Sequence, residues 1–418
     1  MLTSFDDLTT HLLRRLREVR QRLGMEPAEA DRGGHFADLL DSMGLVEFLA
    51  ILADDCGVAA QAIEACAGRR FGTVAELAGA LHAAGMQPQA GIAVGPGATA
   101  RPPASVPSAW LAATAVSLPR TVQLADTINA ALARPAGWLE RHAGIEQRRV
   151  WAEDDALAAA AVAARACLEE AGLLIEEVGA LLVTSEAPPL LAGLAAALHH
   201  RLDLRPPAAA LEVGGACTGF LAALWLGRHL LPWAGAVLVV AVEAPSRFLP
   251  LRPGQAGEAA ALFGDAAAAG VLCAGPQGGG SIPLTEILLS ADGAAADLLR
   301  VERGAGGEVE VQMAGQALAG RAVRAMAEMA SALAGGCGLT VADLAAVVAH
   351  GGNGRMPALL ARVLGVPPER VWSETPRLGN LGSASLPAAW AARRPRARGP
   401  VAWVAAGAGL TAGGALLG

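Results

Sequence analysis

The 418-residue chain contains no lysine and no tyrosine, so every basic charge is an arginine. That skew reflects a codon-biased genome and says little of function. Charge of either sign is scarce, at 17% of residues, with a formal net charge of −7. There is no basic block and no basic run interleaved with aromatics, which excludes the usual footprint of a nucleic-acid binder. The six cysteines (Cys56, Cys66, Cys167, Cys217, Cys273, Cys337) show no CxxC spacing and sit mostly in apolar runs. Reduced thiols in a cytoplasmic protein are the simplest reading. No continuous apolar stretch opens the chain, so no secretory signal is expected. The longer apolar runs, 156–168 and 401–418, are broken by arginine or glycine and fit buried elements rather than membrane spans.

Apolar residues make up 53% of the chain, enough for a large core, and 418 residues exceed one ordinary domain. Residues 1–85 hold 13 acids against 8 arginines, a balance of −5 out of the chain's −7. Within them Leu8, Leu12, Leu13, Leu16 and Val19 recur at helical spacing, with Thr3 or Ser4 placed to cap. Further helical stretches run over about 42–54 and 74–84, which together predict a small helical bundle. Residues 86–107 are rich in Pro and Gly and nearly uncharged, and so read as a linker. If flexible, 22 such residues span roughly 25–30 Å r.m.s.. Beyond it, short apolar runs at 180–184, 208–213, 236–242, 345–350 and 401–405 alternate with Ala/Leu-rich helical stretches. This pattern predicts layered α/β architecture with buried sheets over 108–418, in halves of roughly 108–275 and 280–418. No sequence repeat relates the halves.

Three segments carry chemistry. Gly215-Ala216-Cys217-Thr218-Gly219-Phe220 follows an apolar strand and opens a helix. A thiol at a helix N-terminus is expected to have a lowered pKa and to act as a nucleophile. Val347-Val348-Ala349-His350 ends a later strand and leads into Gly351-Gly352-Asn353. Leu378-Gly379-Asn380-Leu381-Gly382-Ser383-Ala384-Ser385-Leu386-Pro387 follows. Each segment alone has a bland reading: Cys217 as an inert core residue, His350 as a satisfied core histidine, Asn353 as a helix cap and Asn380 as a turn residue. In this order and spacing they resemble the Cys, His and Asn motifs of type III ketoacyl-carrier-protein synthases. Trp138 through Arg149, Phe263-Gly264-Asp265-Ala266 and Gly407-Ala408-Gly409-Leu410-Thr411 extend the resemblance over most of 109–418. In the N-terminal region, Phe36-Ala37-Asp38-Leu39-Leu40-Asp41-Ser42-Met43-Gly44-Leu45 resembles the phosphopantetheine attachment site of acyl carrier proteins, although for Ser42 alone a helix N-cap is the commoner job. Asp38, Asp41, Glu47, Asp54 and Asp55 give this segment an acidic docking face.

The resemblance implies a thiolase-like five-layer αβαβα fold preceded by an all-α carrier domain. It assigns Cys217 as the acyl-accepting nucleophile, His350 and Asn380 as stabilisers of an enolate, and the N–H groups of Cys217 and Gly409 as an oxyanion hole. It implies decarboxylative condensation of an acyl group on Cys217 with a malonyl-type thioester, in polyketide or specialised fatty-acid synthesis, without a metal. Acyl transfer without condensation, between the carrier and a small-molecule or coenzyme A acceptor, is the alternative. Ser42 would carry 4'-phosphopantetheine, added by a phosphopantetheinyl transferase. Trp138 and Arg149 match coenzyme A contacts of the family, but His142 stands where an arginine is usual. Substrates would be coenzyme A or carrier thioesters, with other synthase proteins of the pathway as partners and a homodimeric assembly. The pair Gly351-Gly352, in place of the family's Gln-Ala, is expected to loosen the backbone and remove bulk near the pocket.

Overall fold

The computed structural model describes residues 5–22, 35–40, 45, 48–49, 52, 72–84, 107–189, 193–303, 309–394 and 399–418. The chain divides into two compact units, Met1–Pro96 with Ala314–Gly320, and Gly97–Met313 with Arg321–Gly418.

In the first unit a helix spans Phe5–Arg22, as the leucine spacing predicts, with Leu8, Leu12, Leu16 and Val19 all buried. They share one core with Phe36, Leu39 and Leu40, with Leu45, Phe48, Leu49 and Leu52, and with Val74, Leu77, Ala78 and Leu81. Helix Val74–Ala83 begins on a capping box, in which Thr73 and Glu76 satisfy each other's backbone N–H. Arg20 donates a hydrogen bond to the Leu39 carbonyl. Ser42 and the expected linker, apart from Pro107, lie outside the described residues.

The second unit is built on strands. β1 (Trp110–Ser117), β2 (Thr121–Leu124), β3 (Gln147–Val150), β4 (Val178–Thr184), β5 (Ala209–Glu212), β6 (Ala236–Glu243) and β7 (Ala266–Cys273) belong to its first half. β8 (Ile282–Ala291), β9 (Leu299–Arg303), β10 (Val309–Met313), β11 (Ala346–Ala349), β12 (Val371–Trp372), β13 (Val401–Gly407) and β14 (Thr411–Leu417) form the second. Ten of them make one sheet in the order β12-β11-β13-β14-β8-β1-β7-β6-β4-β5.

That order contains a duplication which the sequence does not show. In the first half β5, β4 and β6 run parallel, with β7 antiparallel to β6 and β1 antiparallel to β7. In the second half β12, β11 and β13 run parallel, with β14 antiparallel to β13 and β8 antiparallel to β14. Each half also inserts an antiparallel pair, β2–β3 or β9–β10, after its first strand. β1 and β8 join the halves through Trp110 opposite Pro283 and Leu111 opposite Ile282.

The parallel strands are buried on both faces, so they read as continuous apolar runs rather than alternating ones. Helices Ala156–Ala171 and Leu194–Arg201 cover the outer face of the first half. Helices Gly219–Ala234 and Ser385–Arg393 lie in the middle, where Phe220, Leu224, Leu386 and Trp390 pack with residues from strands of both halves. Met329 and Leu333 of helix Gly315–Gly336 lie against Gly414 of β14 on the second half. Among the described residues, no helix is long and apolar enough to cross a membrane.

Candidate active site

Cys217 sits where β5 gives way to a helix. The backbone reverses through Gly215 (φ +136°) and Ala216 (φ +49°), the latter a left-handed conformation uncommon for a residue with a side chain. A 3₁₀ turn, Ala216–Thr218, then leads into helix Gly219–Ala234. Gly219 is required here: a Cβ would overlap the Thr184 hydroxyl at the end of β4. The cysteine is thereby pressed between two loops. Gly407, at the end of β13, leaves room for it, since a Cβ there would stand 3.0 Å from Cys217 N and 3.2 Å from its Cβ. Thr218 Oγ1 lies 3.1 Å from Thr411 Oγ1, tying the turn to β14.

His350 follows β11 and is 2% exposed. Its Nδ1 is hydrogen-bonded to Ser385 Oγ at 3.1 Å. With the hydroxyl donating, the ring proton resides on Nε2. Burial pushes the imidazole down to about 4, so it is neutral at physiological pH. Asn380, also buried, accepts a hydrogen bond on Oδ1 from the Gly382 N–H at 2.9 Å, a bond that does not use the two donors of Nδ2. Its backbone is held by Leu262 O and Gly264 N. Gly264 packs so closely on the Leu378 carbonyl that no Cβ fits. Gly409 (φ +126°) lies in the reversal between β13 and β14, two residues beyond the glycine that touches Cys217. Thus the 217 turn abuts Gly407, while His350 and Asn380 are both hydrogen-bonded to the 382–385 segment.

Two carboxylates were not legible in the sequence. β4 and β6 pair in parallel with Thr184 opposite Ala241, so Glu186 and Glu243 fall at the same level just past the pairing. The Cys217 thiol donates to Glu186 at 3.2 Å (Oε2). Glu243 is a clamp: it accepts from the N–H groups of Glu186 (2.9 Å), Ala187 (3.0 Å) and Ser383 (3.1 Å) and from the Ser383 hydroxyl. These bonds join the loop after β4 to the loop after Asn380. Burial, followed by the neighbouring Glu186 charge, pushes Glu243 up to about 8. Beside both acids lies a cavity of about 190 Å³, walled by Pro188, Phe248, Leu249, Phe263, Val309 and Val311 among others.

The structure corrects one expectation. The Cys217 thiol is not lowered: burial first, then the Glu186 carboxylate, hold it well above its ordinary value, outweighing the helix terminus. At Gly351 there is a packing reason for glycine. A Cβ at Gly351 would overlap the Thr375 hydroxyl, which donates to the Gly351 carbonyl at 3.0 Å, so the glycine serves close packing. Of the two residues that match coenzyme A contacts, Trp138 is stacked on His142 with ring centroids 4.9 Å apart, and Arg149 donates to the Pro119 carbonyl at 2.7 Å. Arg148, its neighbour, is the buried member of the pair and holds the Ala260 and Phe263 carbonyls. Asn353 caps the helix Met356–Leu364, accepting from the N–H groups of Arg355 and Met356.

The model of 3-oxoacyl-[acyl-carrier-protein] synthase III matches residues 211–293, and that of the synthase III C-terminal region matches 336–418. Beta-ketoacyl-[acyl-carrier-protein] synthase III of Oleidesulfovibrio alaskensis is 31% identical over 269 residues, covering 61% of this chain and 80% of that protein. The 3-oxopimeloyl-[acyl-carrier-protein] synthase of Rhodothermus marinus is 35% identical over 304 residues, 68% of this chain and 86% of the relative. The chain belongs to the 3-oxoacyl-[acyl-carrier-protein] synthase III family. Its thiolase-like α/β fold matches the solved synthase III of Pseudomonas aeruginosa, with a TM-score of 0.66 at 30% identity over 74% of this chain and 98% of that one. The priming β-ketosynthase of the R1128 polyketide pathway matches with a TM-score of 0.67 at 26% identity over 76% and 98%. As a synthase III family member, the chain is of the acyltransferase class.

Proposed function

We propose that residues 108–418 catalyse decarboxylative condensation and that residues 1–85 are an acyl carrier domain serving them. The observation that carries this reading is that His350 and Asn380 both hydrogen-bond the 382–385 segment, whose Gly382 closes on Glu186, the partner of the Cys217 thiol, beside an apolar cavity. In this reading an acyl thioester loads Cys217, and the N–H groups of Cys217 and Gly409 hold the tetrahedral oxyanion. A malonyl-type thioester follows. His350 Nε2–H and Asn380 Nδ2–H donate to its carbonyl, stabilising the enolate left when carbon dioxide departs. The enolate carbon then attacks acyl-Cys217 and gives a β-ketoacyl thioester. Ser42 carries the phosphopantetheine arm, added by a phosphopantetheinyl transferase, and the linker at 86–107 raises the effective carrier concentration into the millimolar range. Polyketide or specialised fatty-acid synthesis, a homodimeric assembly and partner synthases belong to the same reading.

Mass spectrometry of the pantetheinylated protein, offered acyl and malonyl thioesters, tests it. The expected result is an acyl mass on Cys217 that Cys217→Ala abolishes, followed by carbon dioxide release and a β-ketoacyl mass on Ser42. An intact acyl group passed onward without carbon dioxide identifies simple acyl transfer. A Cys217 that no donor acylates refutes the reading.

A further inference from the structure

We propose that Glu186 is a catalytic residue, the base that takes the Cys217 proton as the acyl thioester is attacked and the acid that returns it to the departing thiol. This rests on Cys217 being the acylated nucleophile. The geometry is direct: Glu186 Oε2 lies 3.2 Å from Sγ and Oε1 lies 3.6 Å away. Among the described residues, the thiol is the one hydrogen-bond partner of that carboxylate, in contrast to Glu243, whose oxygens are taken up by backbone and hydroxyl donors. Glu186 is also fixed from behind. Its own N–H is anchored on Glu243, and Gly382 closes over it so tightly that a Cβ there would stand 3.0 Å from Oε2. Its position beside the apolar cavity puts it within the space an acyl group would enter.

With the Ser385 hydroxyl donating to Nδ1, His350 carries its proton on Nε2 and has no free lone pair for this first proton transfer. Burial raises Glu186 above the usual carboxylate range, which makes it a stronger acceptor, and raises the thiol, which makes an acceptor necessary. The step balances without another reactant. The Sγ–C bond forms as the proton passes to Oε2. The tetrahedral adduct collapses, the bond from carbon to the leaving sulfur breaks with its electron pair, and the leaving thiolate takes the proton back. Glu186 ends as the carboxylate it began as.

The test is single-turnover acylation of Cys217 from an acyl thioester, followed by intact mass across pH 6–9, in the full chain. Glu186→Gln keeps the size of the side chain and cannot accept the proton. It should slow acylation by on the order of 10²–10⁴-fold. Its rate should then climb tenfold per pH unit with the free thiolate, while the native rate changes little. The titratable groups facing Glu186 are Cys217 and Glu243, and both remain in the variant. Glu186→Asp retains a base set back by one methylene, so its rate should be intermediate with a native-like pH profile; this arm stands if the glutamine variant fails to fold. Acylation of both variants at the native rate and with the native profile overturns the proposal. Failure of the native protein to acylate Cys217 instead strikes the function itself.

Discussion

Replacing His350 by glutamine should remove a pH dependence of stability that can be sized in advance. The imidazole has an ordinary value of 6.5 and is pushed down by burial to about 4 in the folded chain. Between those values the unfolded chain binds a proton that the folded chain refuses. Stability therefore rises with pH across this window; the contribution is complete above 6.5 and is lost as pH falls through 4. At about 1.4 kcal/mol per pH unit, the change amounts to about 3 kcal/mol. Glu243 has the opposite sign: its raised carboxyl favours the folded chain at low pH and the contribution fades as pH rises through about 8. That slope is common to both proteins and drops out of their difference. Urea unfolding followed by tryptophan emission is the assay. All eight tryptophans lie between positions 110 and 403 and there is no tyrosine, so the signal reports on the synthase region alone. The unfolding free energy of native protein minus variant should be about 3 kcal/mol smaller at pH 4 than at pH 7. A difference that stays constant with pH would mean that His350 titrates normally when folded. The neutral Nε2 donor would then have no physical basis.

Gly264→Ala should drive the Leu378 carbonyl away and with it the loop bearing Asn380, at a cost on the order of 1–3 kcal/mol. Condensation should fall more than acylation of Cys217, and equal losses in the two half-reactions would show that the loop is not what moved. Val311→Trp should fill much of the cavity of about 190 Å³. Long acyl groups should then fail to load while acetyl still does, read as the mass profile on Cys217; an unchanged profile would place the acyl chain elsewhere.

The strand-to-loop junctions bearing Cys217, His350 and Asn380 were legible because each couples an apolar run to glycine and one chemically distinctive residue. The parallel strands were legible as buried apolar runs. β7 and β14 are different: Ala266–Cys273 and Thr411–Leu417 are largely alanine and glycine, and carry little of the β-branched bias that marks a strand. They are strands because neighbours pair with them along their whole length. Glu186 and Glu243 were missed for a related reason. They are 57 residues apart, and only the parallel register of β4 and β6 makes them neighbours. An isolated glutamate in a sequence reads as solvent-exposed. The direction of the thiol shift was misjudged because a helix terminus is visible in sequence, whereas desolvation and a facing carboxylate are not.

The doubled strand order has a chemical corollary. Glu186 and His350 each come directly after the second main-sheet strand of their half, and Cys217 and Asn380 each come after the third. Two copies of one scaffold thus present four matching sockets to a shared seam: one half fills its pair with acid and thiol, the other with imidazole and amide. In the proposed chemistry neither half alone carries the full set: one half would handle the proton and the other would polarise the carbonyl.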